Sequence, residues 1–535
     1  MIMKNNKSAF CAIAVSAMLG MGAIEANAQQ TRYEGTVTIH QKDGTKTSFN
    51  ESDLWRIENR EDYVYAVTKQ IQPQKYTDVD HVSFDWIAQE VGKIILNYKR
   101  EISADELKQA VKDMRTQLGS ALKAVYGMHG GKGDNPPAAH SYQFCYTFGP
   151  DCYVQYFCVP HYDFPYANFT LRSTYDLCKG SIGGPGAGFS AMKYDMAPTL
   201  NADKIDYMPE IKAIYLILFN YSTIENVDLF GPMPYYDHKT IREESPFVYD
   251  RAKDIYYQVK ADIDAAIECF KYYKDHRSEA YKKQIGSTIK SRVQLLSSDY
   301  ADPSDLSVWI RFANSLKLRM AIHMSKVEPA TAKQWAEEAV AGGVIENTTD
   351  EIGLFPSLFG RDHPLSEMMG WNDIVMGASF LNLLQNLDHP YMKYLFTKNS
   401  IALEKSKQAV SGTSAPATTS EGTVFIGMRN GVTPGEGQAA STNPYCGYST
   451  LDRTHFSECN PPLYLMKVSE VNFLRAEGAL RGWNMGGTAQ SFYEQGIRTA
   501  YLEDRNFPIK KYVNYVDDYL NVLTIQGILL YFELR

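Results

Sequence analysis

Most of the sequence signatures of catalysis are missing from this chain. It contains no H-E-x-x-H, no G-x-S-x-G and no G-x-x-x-x-G-K-[ST], so a zinc protease helix, a nucleophile elbow and a phosphate-binding P-loop are all excluded as local motifs. No C-x-x-C pair occurs, and the spacings of Cys145, Cys152, Cys158 and Cys178 do not suit a zinc site. Positive charge is also scarce. Lys and Arg number 54 against 62 Asp and Glu, for a net charge of −8. That balance leaves no basic surplus to neutralise a phosphate backbone, and it argues against nucleic acid as a partner. After the first thirty or so residues, no apolar run reaches the length of a membrane-spanning helix.

The N-terminus itself has the form of an export signal. Lys4 and Lys7 precede an apolar run from Ala9 to Ile24, and Ala26-Asn27-Ala28 supplies a small-x-small cleavage site. The pattern predicts a signal peptide over 1–28 and an exported mature chain over 29–535, read as one domain. Cys11 leaves with the signal, so seven cysteines remain and at least one stays unpaired. In an oxidising compartment one disulfide among the clustered cysteines is open, with no pairing indicated.

What the chain has in excess is tyrosine, 37 residues against 24 phenylalanines and six tryptophans. A phenol offers an apolar face with a polar tip and so suits a wet binding surface as well as a helical core.

The regular elements are mainly helical. Alternation in "RYEGTVTIHQKDGTKTSF", with Asp43-Gly44 at its centre, predicts a short β-hairpin over 31–50. Residues 82–127 carry helical patterns, and Ser103 with Glu106 forms a capping box. Further helices are expected at 209–227, opened by Pro209, and at 248–273, 305–326 and 331–341. A helix from about Leu465 to Leu480 ends at Gly482, and a second follows, capped by Thr488. The first of this pair is apolar on more than one side and therefore needs two neighbours. Two blocks near 128–208 and 345–460 are rich in Gly, Pro and aromatics and poor in period. The pattern thus predicts a mostly α fold: helix pairs in a superhelix, with large irregular loop insertions and a small N-terminal hairpin.

Candidate chemistry is sparse. "GSIGGPGAG" at 180–188 lacks the lysine and following helix of a phosphate cradle. The paired acids Asp78/Asp80 and Asp517/Asp518 are read as solvated. His140, His161 and His363 sit in loops without a metal-ligand spacing. No catalytic residue, metal or cofactor is therefore expected. The outstanding stretch is "DCYVQYFCVPHYDFPYANF", 151–169, with seven aromatic rings stiffened by Pro160 and Pro165. Such rings can stack on the C–H face of a sugar while nearby polar groups take its hydroxyls, or they can pin a loop to the helices. Tyr162, Tyr166 and Trp371 are the candidate ligand-binding rings, on loops expected to share one outer side of the helical core.

Several ordered segments resemble one family. "LYLMKVSEVNFLRAEGALRGW…YEQGI" near the C-terminus is preceded by "NPP…HSYQF" at 135–144, "IKAIYLILFNYSTIENVDLFGPMPYYD" at 211–237 and "WIRFANSLKLRMAIHMS" at 309–325. "WNDIVMGASFLNLLQNLDHPYMKYLF" at 371–396 and "IGMRNG" from Ile426 complete the series. Together they are similar to the SusD/RagB-like proteins of Bacteroidetes. The resemblance implies tetratricopeptide-like helix pairs in a surface-exposed outer-membrane protein. It also implies capture of an oligosaccharide or peptide, and transfer to a partner SusC-like TonB-dependent transporter. Family members usually carry a lipidated cysteine after the signal; here Gln29 follows the cleavage motif and Cys11 lies inside the apolar run, which leaves a lipid anchor open. They also usually continue beyond the last helix pair, which sets an expectation that the segment ending "TIQGILLYFELR" is truncated. Two other functions fit aromatic loops: a secreted glycan hydrolase with a carboxylate pair across a cleft, and a surface adhesin or scaffold.

Overall fold

In the computed structural model the described residues are 31–50, 54–60, 63–68, 74–90, 94–127, 139–162, 192–241, 247, 249–292, 302, 304–355, 363–369, 371–399, 424–440, 442–453, 462–503 and 516–517. The chain divides into two compact units, Met1–Lys93 and Ile94–Arg535, where the sequence pattern drew one domain over 29–535. The signal sequence expected at 1–28 lies outside the described residues.

The first unit is built from strands. The expected hairpin forms from β1 (Thr31–Gln41) and β2 (Lys46–Asn50), paired Val37 to Phe49 and Ile39 to Thr47. Its turn uses Gly44 at φ +88°, a conformation that costs glycine little, and the Asp43 carboxylate accepts the Thr45 N–H at 2.8 Å. Four more strands follow: β3 (Leu54–Arg60), β4 (Tyr63–Thr68), β5 (Gln74–Thr77) and β6 (Val79–Glu90). They complete two three-stranded antiparallel sheets, ordered β2-β1-β6 and β3-β4-β5. Ile39, Val64 and Ala66 share a small core with Phe49, Tyr76 and Val82 at its margin. The helical reading of 82–90 is therefore corrected. That stretch is strand because β1, some forty residues earlier in the chain, offers it a continuous antiparallel partner from Thr31/Glu90 to His40/His81; period alone cannot see such a partner.

The second unit is helical. The capping box at Ser103 forms as expected, with reciprocal bonds to Glu106, and opens α1 (Ala104–Asp113). Next come α2 (Arg115–Gly127), α3 (Pro209–Phe230), α4 (Ala252–His276), α5 (Glu279–Arg292), α6 (Leu306–His323) and α7 (Pro329–Ala341). The short α8 (Ala378–Asn386) lies in the second loop-rich block, and α9 (Val468–Leu480) and α10 (Ala489–Glu503) close the series. Three pairs stack: α3 with α4, α6 with α7, and α9 with α10, with α6 packed on both α4 and α9. α3 is buried on all sides from Pro209 to Ile224, as a helix covered by several neighbours must be. Several buried polar groups on the stack are paired across helices. Asp262 of α4 holds Lys239 and accepts from Asn220 of α3 at 2.9 Å. Arg319 of α6 meets Glu470 of α9 at 2.6 Å and the Leu465 carbonyl at 3.1 Å.

The last pair starts later than the sequence suggests. Leu463–Met466 is strand β10, paired with β8 (Ile352–Leu354), and the helix begins at Val468. Its two-sided burial is partial. Val468, Val471 and Ala476 are buried, whereas Phe473 is 38% and Leu480 44% exposed. Phe473 lies on the seam with α10, 5.7 Å from the Tyr493 ring and against Gly496, where a side chain would leave no room. The stop and start between the two helices are as expected: Gly482 has φ +74°, and Thr488 Oγ1 caps α10 by accepting the Ser491 N–H at 3.1 Å.

Candidate functional site

The two loop segments that carry the candidate rings meet as strands. β7 (Phe157–Cys158) pairs antiparallel with β9 (Val375–Met376), Phe157 opposite Met376 and Cys158 opposite Val375. The backbones close further at Gly377, whose N–H donates to the Tyr156 carbonyl at 2.9 Å. A Cβ on Gly377 would lie 2.1 Å from the Gln155 carbonyl oxygen, so only glycine fits. A third segment joins from 424–450. Met428 exchanges backbone bonds with Met376 and Ala378, and the Gly435 N–H donates to Pro160 O at 3.0 Å. The Asn443 amide also donates to Pro160 O, at 2.8 Å. Beneath these segments lies a core of their own, from Phe148, Phe157 and Val159 to Met376, Leu381 and Phe396.

A buried polar clasp locks the junction. His161 Nε2 lies 2.8 Å from one Asp373 carboxylate oxygen, and the Gln143 amide donates to the other at 2.8 Å. All three side chains are buried. Gln143 opens a π-helical turn, Gln143–Thr147, a distortion that often accompanies functional sites. The clasp joins the residue before Tyr162 to the residue two beyond Trp371. A paired, hydrogen-bonded buried carboxylate fixes geometry more than it adds stability.

On the outside of this junction stand Tyr153, Val154, Tyr156 and Tyr162, each about half exposed at 45–55%. Four large apolar side chains are thus exposed within ten residues of chain, Tyr153 to Tyr162. Gln155, at φ +63°, turns the chain between them, and its side-chain oxygen accepts from Ser379 at 2.5 Å. Tyr156 packs its ring 4.7 Å from Phe380 of α8. Trp371 is half-buried, with its N–H bonded to Met368 O. Tyr166 lies outside the described residues.

Asp151 adds a polar group to the same short helix, Pro150–Tyr153. Burial alone pushes its carboxyl up to about 7, with no cation or donor opposing the shift. The nearby Cys158 thiol is pushed up to about 12 by burial and donates to the Met428 carbonyl, so it is a structural thiol and not a nucleophile. Cys269, like Cys158, is a buried free thiol. Among the described residues no group of three or more His, Cys, Asp or Glu could hold a metal ion, and no helix is long and apolar enough to cross a membrane.

Sequence reasoning places Tyr162 and Trp371 on the loops that meet. It misses the clasp: His161 and Asp373 are 212 residues apart and Gln143 and Asp373 are 230 apart, so no local spacing signals either contact. Tyr153 and Tyr156 stand in the aromatic stretch, but nothing in the sequence separates these exposed rings from buried Phe157.

The family model described as "SusD-like: Susd and RagB outer membrane lipoprotein" matches residues 94–524. Its start coincides with the start of the second unit. Solved structures share the fold. A SusD-like protein from Bacteroides thetaiotaomicron is 24% identical, with 76% of this chain and 72% of that one covered and a TM-score of 0.54. A chitin-binding SusD homologue from Flavobacterium johnsoniae is 23% identical over 75% and 72%, TM-score 0.54. A SusD homologue from Bacteroides vulgatus is 21% identical over 74% and 72%, TM-score 0.55. No curated protein matches the chain.

Proposed function

The chain belongs to the SusD/RagB family of outer-membrane proteins, and from that premise we propose that it is a cell-surface binding protein for glycan. It captures oligosaccharide, or peptide, and passes it to a partner SusC-like TonB-dependent transporter. The observation that carries this reading is the row of half-exposed rings, Tyr153, Tyr156 and Tyr162, on a loop whose backbone is held by β7–β9 pairing and by the His161–Asp373 clasp. Rings on a stiff loop lose little freedom when a sugar stacks on them. Tyr162 and Trp371 serve as stacking platforms, and Tyr166 joins them on sequence grounds. A relative in the solved set is described as chitin-binding, which makes chito-oligosaccharides the first probe.

The protein acts without turnover. The Asp373 carboxylate is committed to His161 and Gln143 and so does not serve as a partner acid to Asp151 in the pair a glycosidase needs. The first 28 residues are removed on export, and the mature chain sits peripherally on the outer face of the membrane. Calorimetric titration with chito-oligosaccharides, a wider glycan panel and peptides tests the reading. Saturable binding of one class that Tyr162→Ala weakens supports it. Release of reducing sugar, abolished by substituting one acid, overturns it in favour of a hydrolase.

A further inference from the structure

We infer that the outer face of α5 is a second, phosphate-binding site, separate in its residues from the aromatic junction. Lys282, Lys283, Gly286, Ser287, Lys290 and Ser291 recur along one stripe of this helix and, with Ser304, line an open hollow of about 550 Å³. No carboxylate is among these lining residues, in a chain whose net charge is −8. Two of the ammonium groups are tethered at the margin, Lys282 to Glu279 at 3.0 Å and Lys290 to Asp302 at 2.8 Å. Lys283 has no such tether among the described residues. These ion pairs hold Lys282 and Lys290 in place and leave Lys283 to face an anion.

Gly286 is the independent observation. It lies in the interior of a 14-residue helix, where glycine weakens helical structure relative to alanine. Packing against the described residues does not demand it: among them a Cβ there would meet only the Ser304 side chain, at an ordinary 3.7 Å. What the missing side chain does is keep the hollow open between the lysine rows. Lysines act as movable point charges towards phosphate oxygens, and Ser287, whose hydroxyl has no partner among the described residues, can donate beside them. The chemistry fits a phosphate monoester or diphosphate, on a soluble sugar or on a lipid headgroup.

The test uses the mature full-length chain. Pyrophosphate is titrated by calorimetry, and co-sedimentation is measured with phosphatidylcholine vesicles with and without phosphatidic acid. Binding is expected to weaken as salt is raised. Lys283→Glu should lower affinity on the order of tenfold. Gly286→Leu, which fills the hollow with a good helix former, should abolish binding without lowering the melting temperature. Binding of both probes supports a site for phosphate as such. Retention on phosphatidic acid vesicles alone assigns it to a lipid headgroup, and pyrophosphate alone to a soluble ligand. Binding of neither probe, or binding left unchanged in both variants, overturns the inference. Chito-oligosaccharide binding by the same variants should be unaltered, so failure here is distinguishable from failure of the aromatic site.

Discussion

Tyr162 and Trp371 stand at opposite ends of one short chain of contacts, yet their exposures differ: Tyr162 is 45% exposed and Trp371 is half-buried. The two rings should therefore respond differently to truncation. Loss of a stacking ring costs about 1–2 kcal/mol, or roughly tenfold in affinity. Tyr162→Ala is expected to weaken glycan binding by about that factor with little change in melting temperature, read by calorimetry and thermal denaturation together. Trp371→Ala should lower both, because part of its surface already packs on the protein. A Trp371→Ala variant that loses thermal stability but keeps full affinity removes that ring from the site. Asp151 makes a separate statement about pH. Burial pushes its carboxyl in the folded protein up to about 7, from an ordinary 3.8. The folded protein thus holds the proton more tightly than the unfolded chain, and stability falls as pH rises from about 4 to about 7. Asp151→Asn should raise the melting temperature at about pH 8 and leave it nearly unchanged at about pH 4. An equal effect at both pH values would show that the carboxyl is not desolvated.

At the scale of elements, the parts of the fold written in local chemistry were legible and those written in distant pairings were not. The Ser103–Glu106 capping box, Pro209 at a helix start, Gly482 at a helix stop and the Asp43-Gly44 turn all appear where the residues place them. Each is settled within four or so residues of chain. β6 could not be read that way, since its strand character depends on β1. Leu465 likewise reads as helix by its neighbours and becomes strand because β8 lies beside it. The candidate site divides along the same line. Its rings were visible as composition, whereas the clasp and the β7–β9 pairing depend on contacts across more than 200 residues. Those contacts carry the element-level predictions. Asp373→Ala leaves buried His161 and Gln143 without their shared acceptor and should cost about 2–4 kcal/mol of stability, measured by denaturant unfolding. Gly377→Ala must push the Gln155 carbonyl away from a Cβ 2.1 Å distant. It should part β7 from β9, seen as faster amide exchange at Tyr156, Phe157 and Met376. Unchanged exchange at those amides would mean the strands do not hold the loop.

For the whole molecule, the stacked helix pairs lie within the stretch that the family model matches, 94–524, and the strand-built unit precedes it in the chain. The helical unit acts as a frame, with α3 and α6 buried along most of their length and α9 buried in part. On the proposed reading, binding belongs to the loop segments of this unit, in keeping with loops as the usual carriers of binding residues. A chain organised this way should bind and release its ligand intact. The decisive measurement is calorimetric titration of the mature protein with a panel of oligosaccharides, followed by analysis of the recovered sugar. Saturable binding to at least one glycan, weakened about tenfold by Tyr162→Ala, with the sugar recovered unhydrolysed, is the expected result. Cleaved sugar, or binding that Tyr162→Ala and Trp371→Ala both leave untouched, would contradict it.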